Sequence, residues 1–162
     1  MKTILVVISI LTCQVVTYTQ CNIDDFNALK AIYTDLDGDN WLNKSNWSIV
    51  SNNATPPPGC DLGSMFGIQL SSSGRVESID FTNNPNFGNG LDGTFPSEFS
   101  DLDSLKFLIM PNNGNLSGSI HTSLGNLDVL ETFSVRNCGL SGALPSTFWN
   151  PTSLVSIDIY GN

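Results

Sequence analysis

The chain has 162 residues, enough for one domain with its own core. Fifteen acids against six bases give a formal charge of −9. A surface that acidic repels phosphate backbones, which excludes nucleic acid as a partner.

In chain order, Met1-Lys2 supplies a positive charge, and Ile4 to Leu11 is an apolar run broken only by Ser9. Thr17 and Thr19 then offer a cleavage site before Gln20, so residues 1–19 read as a secretory signal peptide. The run falls short of the roughly 20 residues a membrane span needs, and no later segment comes closer. The expected location is therefore secreted, or the extracellular side of the plasma membrane. Without Lys2 the mature chain keeps fifteen acids and five bases, a charge of −10. Cys13 leaves with the leader, so Cys21, Cys60 and Cys138 remain; an oxidising compartment can pair two of them and leaves one over.

The next element is a helix from Asp24, with Phe26, Leu29, Ile32, Tyr33 and Leu36 on one face. Asp24 and Asp25 stand in its first turn, where they favour the dipole. Then comes Asp35-Leu36-Asp37-Gly38-Asp39-Asn40-Trp41, which resembles the start of a calcium loop. An EF-hand loop would need glycine at its sixth position and glutamate at its twelfth, and those are Asn40 and Asn46. The stretch is a turn instead, with its acids solvated and Trp41 covering the end of the core. No residue set calls for a metal or a cofactor.

Asn43, Asn46, Asn53 and Asn115 each begin an N-glycosylation triplet. Pro56-Pro57-Pro58 is a stiff loop leading to Cys60. Beyond residue 73 a period appears. Gly93, Gly118 and Gly142 are 25 and 24 residues apart, and Leu105, Leu130, Leu154 and Phe99, Leu124, Phe148 repeat the same intervals. Each unit opens on a short alternating run ending at Phe81, Met110, Val135 or Ile159, the mark of a strand with one buried face. An asparagine follows three positions on at Asn84, Asn113 and Asn162, with Cys138 in the third unit. Then comes L-x-G-x-apolar-Pro, with His121 at the proline place of the second unit; the first unit carries an insertion of Pro85-Asn86-Phe87-Gly88-Asn89 or nearby.

Units of this size cannot bury an apolar side alone, but stacked copies share one core. The pattern resembles plant-type leucine-rich repeats, L-x-x-L-x-L-x-x-N-x-L-x-G-x-I-P, over residues 76–162. Upstream, Cys21-Asn22, "DDFNAL", Trp41, Trp47 and Gly74-Arg75-Val76 resemble the cap of such proteins, including receptor-like kinase ectodomains and polygalacturonase-inhibitor-type proteins. The resemblance implies an α/β solenoid: short parallel strands on the concave face of an arc, a looser return behind them, and an N-terminal helical cap. Residues 1–19 are the leader, 20–73 the cap and 74–162 about four repeats, the last truncated. It also implies a cap disulfide between Cys21 and Cys60; the second pair of the family has no counterpart, since Leu70 stands where a cysteine would.

Cys138 takes the buried asparagine position, where a thiol serves backbone groups poorly. His121, the single histidine, has no catalytic partners at any motif spacing and is expected in an exposed loop. The residues between the buried strand positions form three columns: Ser78–Phe107–Thr132–Ser156, Asp80–Ile109–Ser134–Asp158 and Thr82–Pro111–Arg136–Tyr160. Exposed Phe107 and Ile109 beside Arg136 and Tyr160, with Asp80 and Asp158, have the composition of a binding hot spot. The expected function is an extracellular module binding a protein or peptide ligand, the N-terminal part of a cell-surface receptor-like protein, with no catalysis of its own. The alternative is a secreted inhibitor whose partner is a polysaccharide-degrading, carbohydrate-active enzyme; an enzyme of unrecognised type would need a catalytic set that is not seen. The last unit stops before its L-x-G-x-I-P, so a longer protein is expected, with Ile157 and Ile159 exposed at the open end.

Overall fold

The computed structural model describes residues 21–82 and 88–162. The leader expected over residues 1–19 and the ladder position expected at Asn84 lie outside the described residues.

Helix α1 (Ile23–Asp35) is capped by Asn22, whose side-chain oxygen accepts the backbone N–H groups of Asp24 and Asp25 at 2.9 and 3.0 Å. The predicted face, Phe26 to Leu36, is buried throughout. Asp37 then adopts a left-handed conformation (φ 55°) and Gly38–Asn40 form one 3-10 turn, so the acidic stretch reverses the chain. Its acids are exposed but not idle: Asp39 accepts the Tyr33 hydroxyl at 2.8 Å, and Asp37 accepts Asn40 Nδ2 at 2.8 Å. Burial, followed by that hydrogen bond to Asp39, pushes the Tyr33 phenol up to about 12. Trp41 is buried, donates its indole N–H to the Leu36 carbonyl at 2.7 Å, and packs against Tyr33, Trp47 and Phe81. The short helix α2 (Ser48–Ser51) leads to a loop in which Pro56 is buried, and Cys60 closes a disulfide to Cys21.

The acids of the first turn do not share one role. Asp24 is exposed, whereas Asp25 is fully buried and grips the start of the repeats. It accepts Arg75 Nε and Nη2 (2.8 Å to the latter) and the Val76 N–H at 2.7 Å. Hydrogen bonding to Asp25 raises the Arg75 guanidinium further above its ordinary value, with Asp103 adding to the effect.

Among the described residues seven strands follow: β1 (Ile68–Leu70), β2 (Val76–Asp80), β3 (Asp92–Thr94), β4 (Phe107–Ile109), β5 (Asn115–Ser117), β6 (Thr132–Ser134) and β7 (Ser156–Asp158). The main sheet runs β1-β2-β4-β6-β7, parallel from β2 onward. β1 adds a strand that the repeat pattern does not contain: the turn from Ser71 to Gly74 folds it back antiparallel onto β2. The return is also more regular than expected, because β3 and β5 pair as a second parallel sheet. Three 3-10 turns, Ser97–Asp101, Thr122–Asn126 and Ser146–Trp149, occupy equivalent places in successive units and bury Phe99, Leu124 and Phe148. Gly93 holds φ 135° where a Cβ would run into the Asp35 carbonyl, so the first repeat packs directly on the end of α1.

Candidate ligand-binding face

Alternation along each strand divides its side chains. Ile79, Leu108 and Phe133, with Phe81, Met110 and Val135 just beyond, are fully buried in the shared core, while Ile157 in the last strand is 39% exposed and Ile159 partly buried. The residues between them project to the other face. Ser78, Phe107, Thr132 and Ser156 are register partners, and so are Asp80, Ile109, Ser134 and Asp158. The third column continues that register past the strand ends: Asn112 N–H donates to the Arg136 carbonyl and Asn137 N–H to that of Tyr160, each at 2.7 Å.

Phe107 and Ile109 are half-buried rather than exposed. Neither belongs to the core or packs against it; neighbouring strands about 4.8 Å apart shade their flanks. Ser78 is buried for the same reason at the cap end. Asp80 and Asp158 each accept the backbone N–H two residues on, Thr82 at 2.8 Å and Tyr160 at 3.2 Å, which fixes the carboxylates at the strand ends. Arg136 is exposed, and its guanidinium lies 5.2 Å from the centre of the Tyr160 ring, itself 71% exposed. Thr82, Pro111, Ser134, Arg136 and Asp158 border an open depression of about 570 Å³.

Behind this face runs the asparagine ladder. Asn113 Oδ1 accepts the N–H groups of Asn89 and Leu91, and its amide donates to the Met110 and Pro111 carbonyls. Asn162 repeats the arrangement toward Cys138, Leu140, Val135 and Ile159. The first unit's rung is Asn89, fully buried and bonded to both the N–H and the carbonyl of Asn43. The insertion therefore precedes the ladder residue instead of following it. Asn89-Gly90-Leu91-Asp92-Gly93 matches Cys138-Gly139-Leu140-Ser141-Gly142, a signal visible when the unit is counted back from its glycine. Cys138 is fully buried, and its thiol donates to the Met110 carbonyl at 3.0 Å, so it performs part of the asparagine's work. Burial pushes that thiol up, against a smaller opposing effect of the Asn113 and Asn112 N–H groups.

His121 is exposed and caps the 3-10 turn it precedes, with Nδ1 accepting the Ser123 N–H at 3.2 Å. Among the described residues no group of three or more His, Cys, Asp or Glu is placed to hold a metal, and no helix is long and apolar enough to cross a membrane. Asn46 and Asn115 are exposed, Asn43 and Asn53 half-buried, and none of the four stands on a strand of the main sheet.

No protein-family model matches the chain. Receptor-like protein 31 of Arabidopsis thaliana is 41% identical over 86 residues, covering 52% of this chain and 9% of that protein's length. The solved PEPR1-AtPEP1 structure superposes with a TM-score of 0.67 at 26% identity, over 84% of this chain and 18% of the other. A plant ice-binding protein gives 0.69 at 26% identity, over 86% and 40%. Period, parallel sheet and buried ladder define a leucine-rich repeat solenoid with an N-terminal helical cap. The chain shares the repeat pattern of plant-type leucine-rich repeat proteins, and it spans a small part of the length of the relatives it matches.

Proposed function

We propose that this chain is an extracellular recognition module, with its cap over residues 20–73 and its repeats over 74–162, and that its concave face binds a protein or peptide ligand. The observation that carries the reading is the sheet register, which sets Asp80, Ile109 and Asp158 in one column and Phe107 in the next, with Arg136 and Tyr160 stacked beside them. Aromatic, arginine and apolar side chains outside the core are the composition of binding hot spots. The likeness to PEPR1-AtPEP1 supports a peptide ligand, and the likeness to Receptor-like protein 31 supports a place at the N-terminal side of a cell-surface receptor-like protein. The leader expected over residues 1–19, the disulfide and the four glycosylation triplets at Asn43, Asn46, Asn53 and Asn115 agree with secretion. The reading assigns no catalysis, and the one histidine is engaged in its own turn.

The test is selection of binders from a displayed random-peptide library, followed by measurement against the Phe107→Ala/Arg136→Ala double variant. Loss of at least about tenfold in affinity is expected for two hot-spot positions. Unchanged affinity would move the site off this face. The inhibitor alternative rests on the resemblance of the cap alone; it would be favoured instead if the chain inhibited an endopolygalacturonase and no peptide bound.

A further inference from the structure

Over the first three rungs of the concave face the apolar part is confined to one. Phe107, Ile109 and Pro111 sit at alternate positions of β4 and its exit, a row about 13 Å long at strand rise. The rungs on either side are polar: Ser78, Asp80 and Thr82 before it, Thr132 and Ser134 after it. A ligand running along the solenoid axis meets apolar surface once on those three rungs and again only at Val155 and Tyr160 of the fourth, so charge supplies much of its hold between them.

The charges on the four rungs are not balanced. Glu77, Asp80, Glu131 and Asp158 stand against Lys106 and Arg136. The cations are also engaged, Lys106 Nζ with Glu77 at 3.1 Å and Arg136 over the Tyr160 ring. Among the described residues, Asp80 and Asp158 have no cation within salt-bridge distance, and each spends one oxygen on its own turn. They flank Ile109 in its own column, Asp80 one strand spacing away (~4.8 Å) and Asp158 two (~9.6 Å) in the opposite direction.

We propose that the concave face selects a cationic, extended peptide segment that seats one apolar side chain on the Phe107–Ile109–Pro111 row and places basic residues on both sides of it, against Asp80 and Asp158. This rests on the concave-face reading above and adds the partner's charge and pattern. At 0.1 M salt or below, where the Debye length is about 10 Å or more, both acids lie within it of a peptide seated on Ile109, so they act on approach as well as in the complex.

The experiment uses three pools of short synthetic peptides, each with a central Leu or Phe and flanks that are Lys-rich, neutral or Glu-rich. Binding is measured to the whole chain and to the Asp80→Asn/Asp158→Asn variant. Asparagine keeps the oxygen that accepts the Thr82 and Tyr160 N–H groups, so the variant retains the fold, checked by circular dichroism. The Lys-rich pool is expected to bind at least about tenfold tighter than the Glu-rich pool, with the gap shrinking severalfold in the variant and at raised salt. Equal or tighter binding of the Glu-rich pool, or a gap the variant leaves unchanged, overturns the charge assignment while the concave-face reading stands. Binding of no pool, or binding insensitive to Phe107→Ala, overturns both.

Discussion

The cap and the repeats are held together by different means. In the cap, partners far apart in sequence meet: Cys21 with Cys60 across 39 residues, Asp25 with Arg75 across 50, and Trp41 and Trp47 with Phe81, Tyr33 packing on both indoles. In the repeats each unit touches only its neighbours, through one strand, one 3-10 turn and one ladder side chain of about 24 residues' reach. A solenoid has no closed core, so its first unit needs a lid with cross-links of its own. Stability in the cap thus depends on a few irreplaceable groups, while in the repeats it is divided among equivalent ones.

That contrast breaks first at Asp25. Asp25→Ala leaves Arg75 partly buried without its bidentate partner and orphans the Val76 N–H; a loss of about 3–5 kcal/mol is expected in urea unfolding. Asp103 contacts the same guanidinium from an exposed position, and Asp103→Ala should cost under ~1 kcal/mol. Equal effects would mean that the clasp is not buried in solution. Next comes the disulfide: Cys21→Ser/Cys60→Ser should lower stability by roughly 3–4 kcal/mol on the chain-entropy account. Native-state amide exchange should then quicken in α1 before it quickens in β4 or β6. Exchange rising first in the repeats would remove the distinction between the two regions.

The repeats are the more legible region, and the reason is physical. One register serves every unit, so several positions sharing a period of 24 or 25 residues place Phe107, Ile109 and Arg136 in columns before any coordinate is known. What depends on distance along the chain is lost. Nothing local marks Asp25 as the partner of Arg75, and its place in a first helical turn suggests an exposed acid. Asn89 escapes a count that runs forward from Phe81, because the insertion intervenes and the count stops at Asn84. The half-burial of Phe107 and Ile109 comes from neighbouring rungs, which a single strand's alternation does not report.

Within the repeats, the ladder offers a finer comparison between equivalent rungs. Asn113→Ala removes a side chain that satisfies two N–H groups and two carbonyls; about 2–3 kcal/mol is expected, several such bonds partly offset by relaxation. Cys138→Ala removes one thiol hydrogen bond and a small buried volume, and about 1 kcal/mol is expected. If the two cost the same, the asparagine network would contribute nothing beyond filling space.

The smallest effect is the pH dependence at the same rung. Burial raises the Cys138 thiol in the folded chain above its value in the unfolded one. The neutral thiol is therefore favoured by folding, and its contribution is fully present below the unfolded pKa of about 8.5. As pH rises beyond that, the unfolded chain loses its proton first, so stability falls until the folded thiol itself ionises. In urea unfolding repeated across that range, Cys138→Ala should give a shallower fall of stability with pH than the parent chain, and identical slopes would show that the thiol titrates alike in both states. The Tyr33 phenol, pushed up to about 12, adds a separate fall from its ordinary value of about 10 upward, which Tyr33→Phe would remove and Cys138→Ala would not. The same burial makes alkylation of Cys138 by iodoacetamide slow in the folded chain and fast after unfolding. Fast alkylation without unfolding would show that the third rung opens on its own, and that the units are less firmly joined there than at Asn113.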